Sequence, residues 1–212
     1  MSKYETTNAQ YCQYLNAAKS DGLIIVQTDG YVYNITDTSY SLPYFATYSA
    51  SNDSQIIYIG GTFSVRFRDG YDMSNHPVTM VSWYGAMAFC NHYGYRLPTE
   101  WEWQAVADYD GSYTYGCGMI ISSSKANYNQ SNPLGLSSTP YTTPVGYYPA
   151  YGYGMCDMAG GVWEWTPSVL NITDLVLRGG SWYSISNYCT VSCRGDNIPD
   201  SISPNHGFRV CR

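Results

Sequence analysis

Residues 154–165 read Gly154-Met155-Cys156-Asp157-Met158-Ala159-Gly160-Gly161-Val162-Trp163-Glu164-Trp165, and twelve residues on the chain continues Leu177-Arg178-Gly179-Gly180-Ser181-Trp182. Large rings with a single N–H group belong in cores and under loops. Trp83, Trp101, Trp103, Trp163, Trp165 and Trp182 are therefore expected to anchor the interior. A charge among such rings is costly unless it is paired. Arg96, Glu100, Glu102, Glu164 and Arg178 are accordingly expected in internal ion pairs and caps that hold irregular loops.

Outside this stretch the composition points the same way. Charged residues make up only 12% of 212, about half the usual share, while there are 24 Tyr, 20 Gly and 10 Pro. Uncharged polar groups and aromatic rings must cover the surface, and a loop-rich single domain without long helices is expected. A net charge of -6 offers nothing to a phosphate backbone, which argues against nucleic acid as a partner. No apolar run approaches a membrane span, and Met1-Ser2-Lys3-Tyr4-Glu5 lacks the layout of a signal peptide, so a soluble chain without membrane insertion is expected. Seven cysteines are too few for a disulfide scaffold at this length, and the odd number leaves at least one thiol unpaired within the chain.

Three short helices follow from their caps. Thr7 with Gln10 forms a capping-box pattern ahead of the stripe Tyr11, Tyr14, Leu15 and Ala18, which ends at Gly22. Ser82 opens a second helix whose Ala86, Met87, Phe89, Cys90 and Tyr93 are expected to face the core, with Gly94 as its stop. Thr99 with Glu102 repeats the capping box and starts about two turns through Trp103 and Ala107. Residues 23–27, 31–35, 56–59 and 62–67 read as hairpin strands around Asp29-Gly30 and Gly60-Gly61. Residues 112–150 show no period; a loop that long is functional or held by something other than ladders.

The motifs together resemble the formylglycine-generating-enzyme (sulfatase-modifying factor) branch of the C-type lectin fold. The matching pieces are the stretches quoted above together with residues 4–12, His76-Pro77-Val78, Val81-Ser82-Trp83, residues 96–103, Pro144-Val145-Gly146 and Gly207-Phe208-Arg209. The resemblance implies an α+β fold of few short helices, small antiparallel sheets and much irregular loop, forming one domain over 1–212. It also suggests Cys90 and Cys211 as a pair.

Fold alone does not carry activity. In the family's oxidases two cysteines downstream of Arg-Gly-Gly-Ser hold copper(I); counted from Arg178, those positions are Ser184 and Cys189. A serine hydroxyl replaces neither a soft ligand nor a disulfide partner, so that oxidase chemistry is not expected. Cys189 and Cys193 have no second Cys or His pair nearby in sequence and read as a buried thiol or disulfide. A related branch carries iron on histidines of an extra helical domain; His76, His92 and His206 lie at no metal spacing and read as structural or surface groups. No Ser-His-Asp, P-loop or HExxH pattern is present. No cofactor is required. The resemblance implies calcium at two places. The first is the loop before Glu164, where Gly161 replaces the family's asparagine and leaves Glu164 with backbone carbonyls; the second would use Asn127.

The carboxyl end departs from the rest. Residues 183–212 contain no Lys, Glu, Gln, Met or Trp, although these supply 26 of the first 182 positions; chance absence is roughly one in a hundred. Those five types are the ones that codons ending in a pyrimidine do not specify, the outcome expected when adenines of AAC or AAT codons are randomised. With fixed borders at 177–182 and 207–210 and a Pro199-Asp200 pair between them, the segment resembles the variable region of retroelement-diversified C-type lectin proteins. The resemblance places mutable, ligand-binding positions at Tyr183, Ser184, Ile185, Tyr188, Cys193, Gly195, Asp196, Asn197, Ile198, Ser201, Ser203, Pro204 and Asn205, within a variable region of 183–206. Ser186, Asn187, Cys189, Val191, Ser192 and Arg194 would be scaffold.

Positions that must change without unfolding the chain need to be exposed and decoupled from the core. The Tyr/Ser/Asn palette also matches that of antibody loops. The expected function is non-enzymatic binding of a macromolecular ligand, protein or glycan, on a cell surface, with display on a virion or cell exterior. A copper oxidoreductase of the family, or a degenerate relative, is the alternative.

Overall fold

The computed structural model describes residues 1–212. Helix α1 (Asn8–Ser20) begins with the reciprocal cap: the Gln10 amide donates to Thr7 Oγ1 at 3.3 Å and the Thr7 amide donates to Gln10 Oε1 at 2.9 Å. Strands β1 (Ile24–Val26), β2 (Tyr31–Asn34) and β3 (Pro43–Ala46) form an antiparallel sheet, followed by the hairpin β4 (Ile56–Ile59) and β5 (Thr62–Val65) and the ribbon β6 (Phe67–Arg68) and β7 (Tyr71–Asp72). Helix α2 (Trp83–Tyr93) is capped by Ser82 Oγ, which accepts from the Gly85 amide at 3.1 Å, and stops at left-handed Gly94. A Cβ on Gly85 would stand 2.1 Å from Tyr44 O, so only glycine lets α2 lie this close to β3.

Helix α3 (Glu100–Ala107) carries the second capping box, and Glu102 also takes a bidentate bond from Arg96 at 2.7 and 2.8 Å. Residues 108–162 contain no helix or regular strand. The chain then forms β8 (Trp163–Val169), β9 (Leu175–Arg178), β10 (Gly195–Asn197) and β11 (His206–Gly207) in the sheet order β10-β9-β8-β11, with β11 parallel to β8 and the other pairs antiparallel.

One face of this sheet, with Trp165, Leu175 and Leu177, closes the main core of Tyr11, Leu15, Phe45, Phe89 and Phe208. From the other face Glu164 meets α3, where Trp103 Nε1 donates to Glu164 Oε2 at 2.8 Å. The α+β expectation holds, with three local corrections. Trp101 is 63% exposed rather than an anchor, Tyr93 points to solvent where α2 ends, and the Arg96–Glu102 pair lies at the surface rather than inside.

Candidate ligand-binding surface

The surface is built on Arg178. Its guanidinium donates to Val191 O at 2.6 Å, to Gln104 Oε1 at 2.5 Å and to Cys193 O, and so ties β9 to the returning chain. Gly179 and Gly180 follow at φ +98° and +76°, and a Cβ on Gly180 would stand 2.6 Å from Cys189 Sγ. The segment can therefore fold back tightly over Cys189. Trp182 is buried, and its Nε1 donates to Pro204 O at 3.1 Å. From this anchor side chains alternate: Tyr183 out, Ser184 in, Ile185 out. A single 3-10 turn (Ser186–Cys189) then turns Tyr188 outward and Cys189 inward.

Tyr183, Ile185 and Tyr188 are 58%, 52% and 54% exposed, and Asp196 and Ile198 also face solvent. Cys193, Gly195, Asn197, Ser201, Ser203, Pro204 and Asn205 are half-buried. Ser184 corrects the expectation of an exposed position: it is buried, because the turn brings its Oγ back onto Ser181, 3.1 Å from the Ser181 amide and 3.0 Å from Ser181 Oγ. Among the expected scaffold residues Cys189 and Val191 are buried, whereas Asn187 and Ser192 are exposed. Arg194 is held by a bidentate bond to buried Glu100 at 2.6 and 2.7 Å.

Tyr183, Ser184, Ile185, Tyr188 and Asn205 come together with Gln130 and Trp163 around an open cup of about 420 Å³. Sequence reading missed the last two. Gln130 lies in the aperiodic loop, which is pinned to this surface where the Asn129 amide donates to Ser184 O and the Gln130 amide to Trp182 O, both at 2.7 Å. Asn129 and Gln130 take φ +55° and +57°, a left-handed pair that no signal in their neighbourhood announces. Trp163, expected as an anchor, is half-buried: it packs against the main core and also lines the cup.

Positions 184 and 189 do not make the family's copper(I) pair, because the first carries the hydroxyl of Ser184 in place of a thiol. Burial together with nearby Cys117 pushes the Cys189 thiol up to about 12. All seven cysteines are free thiols, Cys90 and Cys211 included, and Cys189 is not bonded to Cys193.

Glu164 does not fit calcium: both its oxygens accept from Arg209, at 2.6 and 2.8 Å, and one also from Trp103. The space that an asparagine would use is filled from elsewhere, since a Cβ on Gly161 would meet Glu5 Oε1 at 2.6 Å. Burial raises the Glu5 carboxyl well above its ordinary range, while Oε1 accepts from the Val162 amide at 3.0 Å. Asn127 keeps a buried Oδ1 with no hydrogen-bond partner, and its Nδ2 donates to Tyr141 O at 2.7 Å. No group of three or more His, Cys, Asp or Glu is arranged to hold a metal, and no helix is long and apolar enough to cross a membrane.

Residues 1–212 match the sulfatase-modifying factor enzyme 1-like domain. The chain belongs to that family. Among curated sulfatase-modifying factor relatives it is 37% identical over 181 residues to the formylglycine-generating enzyme of Mycobacterium tuberculosis, covering 68% of this chain and 60% of that protein. It is 37% identical over 147 residues to the inactive C-alpha-formylglycine-generating enzyme 2 of Bos taurus, covering 63% and 49%. A third relative is the serine/threonine-protein kinase pkn1 of Chlamydia caviae, 34% identical over 160 residues, covering 66% and 24%. The chain thus spans from about a quarter to three fifths of the length of these relatives. In fold this sulfatase-modifying factor domain resembles Treponema denticola variable protein 1, with a TM-score of 0.60 at 20% identity over 88% of this chain and 92% of that one.

Proposed function

We propose that this domain is a non-enzymatic ligand-binding protein whose C-terminal surface, within 183–206, is diversified by a retroelement. Its ligand on this reading is a protein or glycan on a cell surface, and the domain is displayed on a virion or cell exterior. The observation that carries the reading is a coincidence of composition and geometry. The segment lacking five residue types is the one that projects Tyr183, Ile185, Tyr188, Asp196 and Ile198 into solvent from a base fixed by Arg178, Gly180 and Trp182. Rigid aromatic side chains beside short polar ones suit a surface that must recognise different ligands. The fold likeness to a protein named for its variability agrees with this reading.

Two experiments test it. Sequencing the DNA around the gene is expected to find a reverse transcriptase and a near-copy of the 3′ end carrying adenines at the variable codons; finding neither overturns diversification. Copper(I) titration is expected to show no tight site; stoichiometric binding lost in Cys189→Ser would favour the oxidoreductase alternative.

A further inference from the structure

From the walls of the cup we infer a ligand group: a neutral hexopyranose unit, held in part by Gln130 and Trp163, which lie outside the variable segment. The inference rests on the binding reading above and gives it a chemistry. Trp163, Tyr183 and Tyr188 supply aromatic side chains to its wall. Between them stand uncharged hydrogen-bonding groups: the exposed Gln130 amide, the two tyrosine hydroxyls, and Asn205, whose Oδ1 already accepts from Ser203 Oγ and whose NH2 end remains to donate. No lining residue carries a formal charge.

A charged headgroup or side chain would lose water there without gaining a partner. A purely apolar side chain would leave the amides and hydroxyls unmet. A sugar ring offers C–H faces to the aromatic walls and hydroxyls to the amides. The cup's volume of about 420 Å³ holds one such unit with room at the mouth for the rest of a chain.

The backbone at Gln130 points to a contact role rather than a structural one. A glutamine at φ +57° sits where glycine would be more comfortable, yet its own backbone N–H bond to Trp182 O and that of Asn129 to Ser184 O hold it at the rim. Diversification would rewrite Tyr183, Tyr188 and Asn205 while Gln130 and Trp163 persist, so the preference for a neutral ring belongs to the wall this chain carries and would change with it.

The test uses the intact protein with methyl glycosides of glucose, galactose, mannose and N-acetylglucosamine, followed by saturation-transfer NMR and calorimetry. At least one is expected to bind with a Kd on the order of millimolar. Gln130→Gly is expected to weaken that binding tenfold or more while the melting temperature holds or rises, because the left-handed φ suits glycine. Asn205→Ala is expected to weaken it likewise, and the anionic methyl glycoside of N-acetylneuraminic acid is expected not to bind. Failure of every neutral glycoside, or glycoside binding indifferent to both substitutions, overturns the inference. Binding of N-acetyltyrosinamide at the cup with no glycoside bound also overturns it, in favour of a protein side chain, and leaves the diversified-surface reading standing.

Discussion

Trp182 and Tyr183 are neighbours with opposite surroundings: one ring is buried with its N–H satisfied, the other stands mostly in solvent. Trp182→Ala is expected to cost about 3–5 kcal/mol, whereas Tyr183→Ala and Tyr188→Ala stay within about 0.5 kcal/mol, all read by urea unfolding. Comparable losses from all three would show that the outer rings are part of the core. Arg209 and Glu164 are both fully buried, so Glu164→Gln leaves a cation without its counter-charge and is expected to cost about 3–5 kcal/mol. His206 is buried beside Trp165, and burial lowers its pKa from 6.5 to about 4. Its folded value lies below the unfolded one, so its support for the fold is present above pH 6.5 and is lost as pH falls through about 4. Asp157 works the other way, burial raising it to about 6, so its contribution declines as pH rises through that value. A plot of melting temperature against pH is expected to lose part of its acid limb in His206→Gln; an unchanged limb would contradict the assignment. Reading the sequence correctly expected Glu164 and Arg178 to be held internally, but it could not find Arg209 as the partner of Glu164, because 45 residues separate them.

At the scale of elements, legibility followed the locality of the cause. All three helices announce themselves through caps three residues apart, and the β1–β2 hairpin through Asp29-Gly30. The four-stranded sheet does not. Residues 164–166 of β8 are buried in succession and show no alternation, and β10 and β11 are two or three residues long, existing only because β9 and β8 offer them partners. Gly85 belongs to this scale as well. Adding one methyl group in Gly85→Ala drives α2 against Tyr44 O and is expected to cost about 1–3 kcal/mol by thermal unfolding. A neutral result would mean that α2 slides freely on β3.

In the whole molecule, an unperiodic loop, the buried Glu164–Arg209 pair, the buried Arg178 and a short sheet hold one surface in place while leaving its side chains free. The cup needs residues from the loop, from β8 and from the C-terminal segment, so no single stretch of sequence displays it. What the sequence does display is the compositional border at residue 183, since that border reflects how codons vary rather than how the chain folds. The account therefore depends on the outer positions being independent of the core. Its most direct test is the unfolding free energy of a chain carrying Tyr183→Ser, Ile185→Asn, Tyr188→Asn, Asp196→Ser and Ile198→Thr together. The account predicts a cooperative transition within about 2 kcal/mol of the parent; a chain that loses cooperativity or falls by more than about 5 kcal/mol would contradict it.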